Sequence, residues 1–147
     1  LGGLFSLMDL RGRGELARGE LMRYFAEAAW YPTALLPRQG VQWEAADDSS
    51  AYATLTDGDI ELTLLFRFNE EGLIASVYSE GRERMAGSIM ESTPWEGRWS
   101  NYQRRNGMLV PVSGEVLWYL PDGEQPYWRG DIAEIRYRFG GEENHAE

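Results

Sequence analysis

The sequence predicts an α+β fold: a curved antiparallel β-meander of about seven strands, a half-barrel, packed around one N-terminal amphipathic helix. Three observations predict it. Apolar residues between positions 15 and 30 recur at helical spacing, those after Gly40 alternate at strand spacing, and the alternating runs are joined by short turns rich in Gly, Asn, Asp and Pro. A sheet that long must curl, and a helix with one apolar side fills its concave face.

The helix is expected over residues 15–30. Ala17, Leu21, Met22, Phe25, Ala28 and Ala29 share one side of a helical wheel, and Glu20, Arg23 and Glu27 share the other. Gly19 inside it costs about 1 kcal/mol relative to Ala. Pro32 ends the helix, because the residue before a proline is driven out of helical geometry, and residues 32–36 start a short second turn.

After Gly40 the period is two. Val41, Trp43 and Ala45 alternate with polar residues, residues 47–50 turn the chain, and Ala51, Ala53 and Leu55 alternate again as far as Asp57-Gly58. Ile60, Leu62, Leu64, Phe66 and Phe68 form the clearest strand, and a turn at 69–72 leads into the next, over 73–84. Residues 85–93 are small and polar and break the pattern, so a loop is expected there, the mobile lid or edge of the sheet. Beyond Pro94 come a strand over 95–104, the hairpin turn Asn106-Gly107, a strand over 108–120, a turn at 121–125 and a last strand over 127–139. Pro111 and Gly114 predict an edge position and a bulge for the strand that holds them.

No linker or repeat divides the chain, so residues 1–139 are expected to form a single domain, with 1–14 the tail of an upstream element and 140–147 a disordered polar tail. Cysteine is absent, and the single histidine, His145, lies in that tail. Thiol catalysis, Cys-containing zinc sites and Ser/His relays are thereby removed, and no cofactor or metal is expected. All 14 basic residues are Arg, a bias that a GC-rich bacterial genome produces without selection. The net charge of −10 is carried by the strand-rich part and repels phosphate backbones and anionic lipid surfaces, so no nucleic-acid partner is expected. No apolar run approaches about 18 residues, so no integral membrane segment is expected. With no signal-like segment either, the cytoplasm is the expected compartment, the periplasm staying open because the chain does not begin with Met.

The segment Gly19-Glu20-Leu21-Met22-Arg23-Tyr24-Phe25-Ala26-Glu27-Ala28-Ala29-Trp30-Tyr31-Pro32-Thr33-Ala34-Leu35-Leu36 resembles the signature of an uncharacterised bacterial family, a domain of unknown function. The resemblance continues through Pro94-Trp95, Val110-Pro111, Gly114-Glu115-Val116-Leu117-Trp118 and Tyr127-Trp128. It implies that this chain is the C-terminal portion of a longer family member, and it carries no catalytic residue over. The predicted architecture is in turn similar to that of bacterial lipoprotein-carrier domains, where a curved sheet and a helix hold acyl chains, a likeness of fold rather than of site.

The chemistry rests on an aromatic surplus: Trp95, Trp99, Tyr102, Trp118, Tyr119, Tyr127, Trp128, Tyr137 and Phe139 all fall on the last strands. They either complete a core, each burying roughly 150–250 Å², or line an apolar ligand site. Alternation puts Trp95 and Trp99 on one face and Tyr102 on the other, and divides Trp118 from Tyr119. The helix stripe of Glu20, Arg23 and Glu27 is either a solvated face or a covered network with partners such as Arg82 or Tyr102. The ligand-binding set expected is Arg23, Tyr24, Glu27 and Trp30 from the helix, with Arg82, Trp99, Tyr102, Glu115, Trp118 and Trp128 from the strands. The expected function is non-catalytic binding of a lipophilic or amphipathic small molecule between helix and sheet. Two other readings stay open. One is a structural half that docks through its sheet face or edge on an upstream region or a second copy. The other is a carboxylate-dependent glycoside-type hydrolase using Glu96 and Glu115.

Overall fold

A computed structural model describes residues 14–134 of the chain. The expected upstream remnant, apart from Gly14, and the tail at 140–147 lie outside the described residues, as do Tyr137, Phe139 and His145. Helix α1 (Glu15–Ala26) continues into three 3₁₀ turns, Glu27–Trp30, Pro32–Leu35 and Pro37–Gln39. The helix tightens where proline demands it: Tyr31, before Pro32, sits at φ −138° and ψ 67°, outside helical geometry. Gly40, at φ 88°, then closes the last turn in the left-handed region that glycine adopts without a steric cost.

Seven antiparallel strands follow in a simple meander, each paired with its sequence neighbours: β1 (Val41–Asp47), β2 (Ser50–Asp57), β3 (Ile60–Phe68), β4 (Ile74–Ala86), β5 (Ile89–Arg105), β6 (Met108–Leu120) and β7 (Gly123–Asp131). The sheet stays open and does not close into a barrel. Its turns have local causes. Asp47 Oδ1 accepts from the Ser49 N–H at 2.8 Å, Asn69 Oδ1 accepts from the Glu71 and Leu73 N–H groups, and Asn106-Gly107 takes the two positive φ angles, 50° and 80°, of a tight hairpin.

All six residues of the expected apolar helix side are buried, and with Leu62, Leu64, Phe66, Val77, Trp95 and Trp99 they form the core. α1 packs on β3 and β4, with Phe25 against Phe66 at 5.5 Å between ring centres, and the turn after it packs on β6. Burying a Leu or Phe side chain contributes about 1.5–3 kcal/mol, so this one seam anchors the helix.

Three expectations are corrected. Residues 85–93 are not a loop: they are the far end of the β4–β5 hairpin, turned by Gly87 at φ 65° and Ser88. β3 pairs with β4 only as far as Tyr78 and β6 reaches β5 only from Trp95, so the hairpin projects as a two-stranded arm with exposed Met85, Ile89 and Met90. Second, β6 is an interior strand, not an edge, and it is not bulged at Gly114. Pro111 lies opposite Tyr102, beside a left-handed Asn101 at φ 56°, and that irregularity accommodates it. The bulges lie elsewhere. Glu80 and Gly81 oppose Pro94, and an extra residue on β7, Tyr127, enters between the pairs Val116–Trp128 and Leu117–Pro126. Third, the last strand begins at Gly123, four residues earlier than expected, and its continuation past residue 134 lies outside the described residues.

Candidate functional site

Tryptophan rings need room, and on this sheet glycines provide it. A Cβ on Gly97 would come within 3.2 Å of Trp95, one on Gly114 within 2.6 Å of Trp99, and one on Gly130 within 2.6 Å of Trp128. Gly97, Gly114 and Gly130 lie on the successive strands β5, β6 and β7, so the indoles of Trp95, Trp99 and Trp128 lie against glycine backbone. The β7 bulge adds to this. It brings the consecutive residues Tyr127 and Trp128 to the same cavity, which strict alternation would forbid.

The result is a cavity of about 430 Å³ between the end of α1 and strands β4 to β7. Arg23, Glu27 and Trp30 come from the helix and the turn after it, and Arg82 from the base of the β4–β5 arm. Trp95, Trp99, Val116, Tyr127 and Trp128 supply the sheet wall. Its volume lies within the range of small-molecule sites, roughly 300–1,000 Å³.

Polar atoms in this wall are mostly donors. Trp30 donates its indole N–H to the Pro111 carbonyl at 3.0 Å and stands edge-on to Trp99, 4.8 Å between ring centres. Trp95 donates to the Tyr127 hydroxyl at 2.8 Å, and Tyr127 stacks on Trp118. The Arg82 guanidinium lies 4.9 Å above the Trp95 ring. Arg23 is paired with Glu27 at 3.0 Å, and the hydrogen bond and charge of Glu27 raise the Arg23 pKa. Trp99, 5% exposed, has an indole N–H with no acceptor among the described residues.

Of the ten residues expected to bind a ligand, Arg23, Glu27, Trp30, Arg82, Trp99 and Trp128 are brought together at this cavity. Trp118 stands behind it, stacked on Tyr127. Tyr24 stacks on Tyr31, whose hydroxyl donates to the Tyr24 carbonyl, and burial raises the pKa of both. Tyr102 is not on the face opposite the helix. It lines a second groove, about 320 Å³, with Ala29, Pro32 and Leu35, because left-handed Asn101 interrupts the alternation of β5. Glu115 lies away from the cavity, paired with Arg129 at 2.6 Å in a polar groove. Trp95, Val116 and Tyr127 were missing from the expected set. Glycine two residues after tryptophan, in Trp95-Glu96-Gly97 and Trp128-Arg129-Gly130, was the available signal for Trp95.

The acidic pair expected of a hydrolase is arranged otherwise. Glu96, 5% exposed, lies outside the cavity, with Tyr119 donating to it at 2.5 Å and Arg67 and Arg98 each 3.2 Å away. Arg98 also grips Glu124 at 2.6 Å, which lowers the Glu124 pKa. Burial and the Glu96 hydrogen bond raise the pKa of Tyr119. Both candidate carboxylates are neutralised by guanidinium groups, and neither lines the aromatic cavity.

Residues 1–137 of the chain match the model of a protein family. The chain belongs to a family of unknown function (DUF6920). No curated protein and no solved structure matches it. Among the described residues no helix is long and apolar enough to cross a membrane. The family brings no chemistry with it, so the functional reading rests on the cavity.

Proposed function

We propose that this domain binds an amphipathic small molecule without transforming it, holding the apolar part of the ligand against the tryptophan wall and its polar end at the rim formed by Arg23, Glu27 and Arg82. The observation that carries this reading is the cavity itself. Four tryptophans and a tyrosine from three chain segments converge on a space that no side chain of the described residues fills. Such a concave aromatic surface leaves apolar area exposed to water that a ligand would cover. Glycine at three successive strand positions, where a larger residue would push the rings inward, keeps it clear.

The scaffold is a helix held on an open antiparallel sheet. The aromatic wall offers ring faces and edges to an alkyl or cyclic body, and roughly 25 cal/mol per Å² of apolar surface drives it in. Native mass spectrometry of the chain purified from a bacterial host, followed by solvent extraction, tests the reading. Co-purified amphiphile, or quenching of tryptophan emission by an added alkyl probe, supports it. A chain that is empty from every host and indifferent to such probes overturns it.

A further inference from the structure

The hydrogen-bonding groups of the cavity are unbalanced, and the imbalance names the ligand's head. On the donor side are the Arg82 guanidinium and the Tyr127 hydroxyl, whose oxygen accepts from Trp95 and whose proton has no acceptor among the described residues. On the acceptor side the only carboxylate of the wall among the described residues is Glu27, already engaged by Arg23. Arg82 makes no ion pair with any described residue, and its contact is the face of Trp95.

A guanidinium held on an aromatic face keeps its charge and its fork of donors, and it is less strongly hydrated than an ammonium. A partly buried cation over a ring whose N–H is bonded to a tyrosine hydroxyl is stabilised by an occupant that brings acceptor oxygens. We infer that the ligand is an anionic amphiphile, an alkyl or cyclic body ending in a carboxylate or similar oxyanion, and that Arg82 takes the oxyanion with help from Tyr127. This rests on the proposed binding role of the cavity and adds the charge of its ligand. The net charge of the chain makes the inference discriminating: at −10, non-specific electrostatics repel an anionic amphiphile and attract a cationic one. A preference for the anion must therefore come from the site.

The test uses decanoate, decanol and decyltrimethylammonium, which share one alkyl chain and differ in head charge. Each is titrated below its aggregation threshold into the full chain, with tryptophan emission and calorimetry as readouts. Decanoate is expected to bind about ten-fold or more tightly than decanol, and the ammonium more weakly than either. Arg82→Gln should weaken decanoate more than decanol and so remove the preference between them, and Arg82→Lys should restore it in part. Equal binding of decanoate and decanol overturns the anionic head while the amphiphile reading stands. Tighter binding of the ammonium overturns it too. Binding of none of the three overturns both. The ranking of the three heads on the unaltered chain decides the matter even if Arg82→Gln folds poorly.

Discussion

Trp95 and Tyr127 are joined by a 2.8 Å hydrogen bond although their strands, β5 and β7, are not neighbours, since β6 lies between them. The bond spans β6 because the β7 bulge brings Tyr127 to the cavity side, where its ring stacks on Trp118 of β6. It thereby fixes two walls of the cavity against each other. Tyr127→Phe keeps the ring and its stacking but strands the indole N–H of Trp95, a residue only 3% exposed. The expected cost is about 1–3 kcal/mol in urea unfolding, the range for a buried donor left without a partner. An unchanged midpoint would mean that the bond contributes nothing to the wall.

Gly114→Ala and Gly130→Ala are expected to differ, although each new Cβ would meet a tryptophan ring at 2.6 Å. At Gly114 the ring is Trp99, buried and held edge-on against Trp30, so the strand must yield and stability should fall by about 1–3 kcal/mol. At Gly130 the ring is Trp128, 43% exposed, which can swing outward. Gly130→Ala should cost less than half as much, while shifting tryptophan emission and weakening ligand binding. Thermal unfolding of the two variants side by side makes the comparison, and equal costs would contradict it.

How far the fold could be read in advance follows the same physics. The helix side and the run from Ile60 to Phe68 were legible because one face of each is buried, and burial imposes a period on the residues. The β4–β5 arm was not, since a two-stranded ribbon without neighbours has no buried face to write alternation into Glu83, Met85, Ile89 and Glu91. The side of Tyr102 was misjudged and Tyr127 was left out of the site for one shared reason. A left-handed Asn101 and an extra residue on β7 each shift the alternation, and neither is marked by glycine at the position concerned. Within the candidate site, Arg23, Glu27, Trp30, Arg82, Trp99 and Trp128 were anticipated, while Trp95, Val116 and the bulge residue Tyr127 were not.

Glu96 separates architecture from ligand chemistry. Its carboxylate, buried with Tyr119, Arg67 and Arg98 around it, ties β3, β5 and β6 together outside the cavity. Glu96→Ala leaves both guanidinium groups without this partner, but they are 46% and 37% exposed and water reaches them. The expected loss is about 1–3 kcal/mol, below the cost of stranding a fully buried charge. Glu96→Gln, which keeps an acceptor for Tyr119, should lose less. Neither change should alter amphiphile binding. A glycoside-cleaving activity abolished by Glu96→Gln and by Glu115→Gln would instead restore the hydrolase reading.

The buried tyrosines predict alkaline sensitivity, and Tyr102 allows its sign to be tested. Burial pushes its pKa up to about 12, against roughly 10 in an unfolded chain, while its hydroxyl donates to the Ile74 carbonyl at 2.7 Å. The folded state holds this proton more tightly than the unfolded state does. The resulting stability is therefore complete below about pH 10 and is lost as the pH rises toward about 12. Tyr24, Tyr31 and Tyr119 are raised as well, so the whole chain should weaken steeply over that window. Tyr102→Phe removes one titrating group and one hydrogen bond. It should be less stable by about 1 kcal/mol near neutrality, and the gap should narrow through the alkaline window. Global repulsion from the −10 chain acts on both proteins alike and cancels in the difference. Urea midpoints for the two proteins between about pH 8 and pH 12 make the measurement, and curves that stay parallel would show that Tyr102 does not resist ionisation in the folded chain.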